Sequence, residues 1–138
     1  DAYKETVDQL VADSVIRFHG FQTDVHPFYE AADCVVLPSY HEGMSNVLLE
    51  GAATGRALIT SDIPGCREAV ENSVSGYLCP AQDAEALTNF FRMFASKPQS
   101  EQEQMGHCGR TLIEQKFDKR IVVAQTIDGL MLPVTARN

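Results

Sequence analysis

Short apolar runs, separated by stretches long enough to hold a helix, constrain this chain more than any other feature of it. Cys34-Val35-Val36-Leu37-Pro38 and Ala57-Leu58-Ile59-Thr60-Ser61 are apolar on both alternating faces. That pattern fits strands of a parallel sheet with helices packed on either side. Val15-Ile16-Arg17-Phe18-His19-Gly20 alternates like a strand that stops at Gly20, and Gly76-Tyr77-Leu78-Cys79 predicts a further short one. Between them lie helical stretches. Val7, Leu10 and Val11 form a stripe that ends before Ser14, and Asp24 caps a short helix reaching about Ala32, with Pro27 tolerated in its first turn. A helix from about Ser45 to Thr54 is stopped by Gly55, and Pro64-Gly65 opens a short one to about Glu71. After residue 79 only helices are predicted. Asp83 caps one whose Leu87, Phe90, Phe91 and Phe94 share a face and read as core, until Pro98 stops it. Ser100 to Glu103 reads as a capping box for the next, and a last helix from about Asp118 carries Val123, Ile127, Leu130 and Met131. The alternation predicts an α/β fold: an open parallel sheet with helices on both faces and a helical carboxyl terminus.

Charge narrows the partners. Eleven basic against nineteen acidic residues leave a formal charge of −8, which disfavours a phosphate backbone or an anionic membrane surface. An anionic ligand would have to be held by local dipoles and a few placed cations. At 138 residues the chain is one domain or part of a larger one. No run approaches 18 apolar residues and no leader is recognisable at Asp1, so neither a spanning helix nor a signal peptide is expected. Cys34, Cys66, Cys79 and Cys108 form no C-x-x-C pair. They read as reduced thiols of a cytosolic protein, two of them packing as small hydrophobes. A zinc site combining them with His19, His26, His41 or His107 has no ligand spacing in its favour.

The stretch His41-Glu42-Gly43-Met44-Ser45-Asn46-Val47-Leu48-Leu49-Glu50 lies between two predicted strands and puts two carboxylates eight positions apart around a helix start. Ligands of open parallel sheets collect beyond the carboxyl ends of the strands, where helix amino termini point. Amides of Met44, Ser45, Asn46 and Val47 would offer a partly positive seat for phosphate there. Gly43 lets the backbone approach a ligand without a side chain in the way. Glu42 and Glu50 are separated by roughly 8–12 Å along the helix axis, about the span from a ribose to the sugar at the far end of a nucleotide diphosphate sugar. Carboxylates suit the hydroxyls at both ends through charge-assisted bonds. A diphosphate between two acids also needs cations, and the nearest basic residue, Arg56, follows the far end of the helix. Without further context the plainer reading, Glu42 a solvated loop residue and Glu50 an exposed helical one, is the preferred one.

Pro38 to Val70, P-S-Y-H-E-G-M-S-N-V-L-L-E-G-A-A-T-G-R-A-L-I-T-S-D-I-P-G-C-R-E-A-V, resembles the donor-binding half of family-four retaining glycosyltransferases of the GT-B fold. The likeness takes in Phe18-His19-Gly20-Phe21 upstream, and Gly76-Tyr77-Leu78 with the Asp83 helix downstream. The resemblance implies a Rossmann-like carboxyl-terminal domain in which Glu50 holds ribose hydroxyls. Glu42 would contact the transferred sugar and support charge at its anomeric carbon. Gly43, Met44, Ser45, Asn46 and Val47 would line the phosphate and sugar seat, and the Gly20-Phe21-Gln22 turn would flank the base. It implies no metal in the fold and no cofactor beyond the donor substrate, a UDP- or GDP-linked sugar, with same-face attack that retains anomeric configuration. Pro64-Gly65 and Glu68 are expected to set a turn, while Arg67 and His41 are expected at the surface. At Ser73 the family more often has glycine.

The resemblance also implies what the chain lacks. Residues 1–138 are expected to form a single partial nucleotide-sugar-binding domain, without the amino-terminal acceptor domain and without the first strands of its own sheet. In the family those strands stand between the third and fourth, so Val15–Gly20 is expected either to shift beside the 34–38 strand or to leave a gap that a second copy fills, a homo-oligomer through exposed sheet edges. The fragment alone is expected to be inactive. The whole protein is expected in the cytoplasm, reaching the inner face of the membrane through the absent domain, in polysaccharide or glycan-lipid synthesis. The glycan or lipid-linked acceptor would be held by that domain too, and nucleic acid is not expected as a partner. The alternative is a non-catalytic nucleotide-sugar-binding module or pseudo-enzyme. A sugar-nucleotide epimerase is disfavoured by the paired glutamates, and a receiver domain by the lack of an acid cluster at the first strand's end.

Overall fold

The computed structural model describes residues 2–118 and 120. In chain order the elements are α1 (Ala2–Ala12), α2 (His26–Ala31), β1 (Cys34–Leu37), α3 (Asn46–Ala53), β2 (Ala57–Ser61), a 3₁₀ turn (Arg67–Ala69), β3 (Gly76–Cys79), α4 (Ala84–Ala95) and α5 (Gln99–Phe117). The three strands are parallel in the order β1-β2-β3, with Cys34 opposite Ala57 and Leu58 opposite Gly76. Parallel neighbours need crossovers, and α3 supplies the one between β1 and β2. The predicted helix from Asp118 lies outside the described residues.

Alternation along the strands sorts the core into two clusters. Val35, Leu58 and the partly buried Leu37 and Leu78 pack with Leu48 and Ala52 of α3, Ala69 and Val70, and Ile113 of α5. On the opposite face Ala57, Ile59 and Tyr77 meet Phe94 of α4 and Met105 of α5, with Leu87 and Phe90 alongside. Tyr77 and Phe90 stack with ring centroids 5.1 Å apart, a packing geometry worth up to about 1.5 kcal/mol beyond the area buried. Helices therefore cover both faces, as the strand pattern predicts. Helix α5 serves both clusters because Gly106 lets it pass close to the entrance of β2, where an added Cβ would lie 1.9 Å from the Gly55 carbonyl oxygen.

Several sequence expectations give way. Residues Val15 to Gly20 form no strand: Val15, Ile16 and Phe18 are exposed, and the segment pairs with nothing in the sheet. A strand needs a neighbour to take its ladder of hydrogen bonds, and Ser14 (φ +58) and Gly20 (φ +64) turn the chain at either end of the stretch. The shift of this segment beside β1 is thus overturned, and the outer edge of β1 has no partner strand among the described residues. Without a strand on its outer side among the described residues, β1 is apolar but not covered on both faces, since Val36 is 36% exposed; β2, with a strand on either side, is buried at all five positions. Phe91 is not core but exposed on the outer side of α4. The capping box at Ser100 does not form, because α5 starts two residues earlier, with Pro98 at its N-cap. Gln102 reaches back instead and donates to the Phe94 and Lys97 carbonyls, at 2.9 and 3.3 Å, tying the two helices together. The helix predicted from Pro64-Gly65 to about Glu71 is reduced to the single 3₁₀ turn.

Candidate functional site

The carboxyl end of β1 feeds the loop Pro38–Ser45, which enters α3. Ser45 is the N-cap, 4% exposed, and its Oγ accepts from the Leu48 amide at 3.4 Å. The Ser45 amide is itself engaged, donating to the Gly65 carbonyl at 3.3 Å. That leaves the amides of Asn46 and Val47, on the first turn of α3, as the outward-pointing donors of the helix start. Met44 and Val47 are exposed beside them, at 46% and 41%. The strand end is pinned by Thr60, fully buried, whose hydroxyl donates to the Leu37 carbonyl at 2.7 Å across the β1–β2 ladder.

Glu42 lies exposed in this loop, and Ser39 Oγ donates to its Oε1 at 2.8 Å. Glu50 is exposed on α3, four residues beyond the first helical residue and so about 6 Å along the axis. Its carboxylate stands close enough to Tyr29, on α2, to act on that residue's phenol. Burial chiefly, and then this carboxylate, push the Tyr29 phenol above its ordinary range. Sequence reading missed both partners. Ser39 stands three residues before Glu42, a spacing at which local side-chain bonds are common. The Tyr29 contact joins two helices and has no local signature.

Residues Gly20 and Phe21 lie in the irregular segment between α1 and α2, and Phe21 is 92% exposed. The neighbouring His19 packs edge-on against Phe28 at 4.7 Å. Helix α2 thus links this segment, through Phe28, to Glu50, through Tyr29. Arg56 follows the opposite end of α3 with its Nε buried and unpartnered. Arg67 is held at the neighbouring turn by Asp62, its Nε 2.9 Å from the carboxylate and its Nη2 donating to the Asp62 carbonyl. Beside the loop, on the α4 side, a cleft of about 250 Å³ opens at the ends of all three strands, bounded by Pro38, Ser61 and Cys79, with Tyr40 and Gln82 among its walls. Neither glutamate lines it. Among the described residues no three His, Cys, Asp or Glu side chains cluster to fit a metal ion, and no helix is long and apolar enough to cross a membrane.

Ligands of open parallel sheets collect beyond the carboxyl ends of the strands, where this loop and the amino terminus of α3 lie. The chain belongs to the family described as glycosyl transferases group 1, whose model matches residues 1–95. It is 32% identical over 125 residues to a glycogen synthase of Mycobacterium tuberculosis, covering 87% of this chain and 30% of that protein. A sucrose-phosphate synthase of Thermosynechococcus elongatus superposes with a TM-score of 0.79 at 27% identity, over 94% of this chain and 34% of its own. HepE of Anabaena, solved in complex with UDP, gives a TM-score of 0.82 at 22% identity, over 93% and 36%. The fold is accordingly that of GT-B glycosyltransferases. The chain spans about a third of the length of these proteins.

Proposed function

We propose that the chain is the donor-binding part of a longer retaining glycosyltransferase, one that moves a sugar from a nucleotide diphosphate sugar to a glycan, polysaccharide or lipid-linked acceptor. The observation that carries the reading is the juxtaposition at the end of β1: an acid in the loop, free amides on the first turn of α3, and a second acid one turn further on. Membership of the glycosyltransferase family supports it, as does the likeness to a protein solved with UDP.

On this reading Glu50, beside Tyr29, accepts two ribose hydroxyls. The Asn46 and Val47 amides face the diphosphate, with Gly43, Met44 and Ser45 shaping the seat, and the Gly20-Phe21 segment flanks the base. Glu42, braced by Ser39, stands by the transferred sugar and stabilises positive charge at its anomeric carbon. The helix dipole contributes about 0.3–1 kcal/mol toward the anion, up to about 2 where sheltered. Cations that balance the diphosphate come from outside the described residues, as does the surface that holds the acceptor. No metal held by this chain takes part. The reaction belongs on the cytoplasmic side, where nucleotide sugars are made.

Binding of UDP-, GDP- and ADP-linked sugars to the intact enzyme tests the reading. Glu50→Ala is expected to weaken nucleotide binding by about 1.5–3 kcal/mol for each charge-assisted bond lost. Glu42→Gln is expected to depress kcat more than donor affinity. Nucleotide affinity untouched by Glu50→Ala would remove the site from this loop.

A further inference from the structure

The turn that follows β2 leans on the acidic loop, and the contact is backbone against backbone. Gly65 has φ +90, and a Cβ built on it would lie 2.0 Å from the Gly43 carbonyl oxygen and 2.6 Å from that of Glu42. No side chain fits there. The Gly65 carbonyl accepts the Ser45 amide at 3.3 Å, and the Gly65 amide donates to Glu68 Oε2 at 2.8 Å. The next residue, Cys66, is fully buried, and burial chiefly pushes its thiol up, opposed by a bond to Thr60 and reinforced by the nearby charges of Glu42 and Glu68. Glu68 thus fixes Gly65, and Gly65 fixes the main chain of Glu42 and Gly43.

We infer that Gly65 and Glu68 are positioning residues for Glu42: the turn after β2 sets where the loop acid stands relative to α3. The inference rests on the donor-site reading above. Its physical basis is a difference in freedom. Glu50 rides on α3, whose Leu48 and Ala52 are fully buried in the core, so it stays where the sheet puts it. Glu42 is on an exposed loop, held from its own side by Ser39 and from the far side by this turn. Moving the turn therefore moves one acid and leaves the other. A misplacement of about 1 Å at a reacting centre costs on the order of 100-fold in rate, whereas binding made through α3 is spared.

The test uses the intact enzyme, with UDP affinity and UDP release from UDP-glucose measured in parallel (GDP and GDP-mannose if the guanine donor is the one bound). Gly65→Ala and Glu68→Ala are expected to lower kcat by about 10- to 100-fold while nucleotide affinity, made mainly through α3, falls by a clearly smaller factor. Glu68→Gln, which keeps an oxygen to accept the Gly65 amide, is expected to restore most of kcat. If Gly65→Ala does not fold, the Glu68 pair decides alone. An unchanged kcat in Glu68→Ala, an equal loss of affinity and turnover, or a Gln variant no better than Ala would overturn the inference. Where turnover is too slow to follow, the amide NMR signals of Gly43 and Ser45 take its place: both are expected to move in Glu68→Ala and to return in Glu68→Gln, and signals that stay put overturn it. Failure of the donor reading is separate, since it shows as nucleotide affinity insensitive to Glu50→Ala.

Discussion

At Ser73 the main chain takes φ +66, a conformation that costs an L-residue about 1–2 kcal/mol and a glycine little. The turn holds it there through three bonds: Ser73 N to the Gly76 carbonyl at 2.8 Å, and the amides of Val74 and Ser75 to the Glu71 carbonyl. Glycine also loses more freedom on folding, so Ser73→Gly is expected to gain a net of about 0.5 kcal/mol. A urea midpoint that rises without a change in slope would show it; one that falls would mean the Ser73 side chain contributes more than strain. This position was legible beforehand as a departure from the family's glycine, because a demand for positive φ leaves a mark in sequence. The approach of Tyr29 to Glu50 was not, because neither residue differs in type from an ordinary surface tyrosine or glutamate. Only the packing of α2 beside α3 brings them together.

Among the elements, α5 separates propensity from packing. Gly106 and Gly109 both lie inside it, where alanine is favoured over glycine by about 1 kcal/mol. At Gly109 an added Cβ meets Ser75 Cβ at 3.5 Å and Ala52 Cβ at 3.9 Å, ordinary contacts, so Gly109→Ala is expected to stabilise by up to about 1 kcal/mol. At Gly106 the same Cβ falls 1.9 Å from the Gly55 carbonyl oxygen, and overpacking of that kind costs about 1–3 kcal/mol. Gly106→Ala is therefore expected to destabilise despite its better propensity, and the two thermal midpoints are expected to move in opposite directions. If both rose, α5 would not be seated against the start of β2. Elements β1, α3, β2, β3 and α4 were each visible from period, glycines or caps, while α5 was expected in its place from a capping box that does not form. Val15–Gly20 shows where that signal fails: alternation records a preference for a half-buried pleat, while a strand exists only when another strand is alongside.

For the molecule as a whole, burial of thiols ties stability to pH. Burial chiefly, with the Asp33 charge, pushes Cys34 up to about 12, and burial raises Cys66 and Cys79 as well. Unfolded thiols lose their protons near pH 8.5–9, so above that point the unfolded chain binds fewer protons than the folded one. Stability is then complete below about pH 8.5 and declines as pH climbs toward 12. The urea midpoint is expected to fall between pH 8 and pH 10.5, and Cys34→Ala to reduce the fall; a flat or rising midpoint would contradict it. The sequence by itself determined the three strands, the helices between and after them, and the acidic loop before α3, because periodicity, caps and glycines act within a few residues. Tertiary structure alone decided that Val15–Gly20 stays out of the sheet, that Tyr29 comes near Glu50, and that Gly65 props the Glu42 loop. Each of these depends on which segments distant in the chain come within reach of one another when the two faces of the sheet are buried.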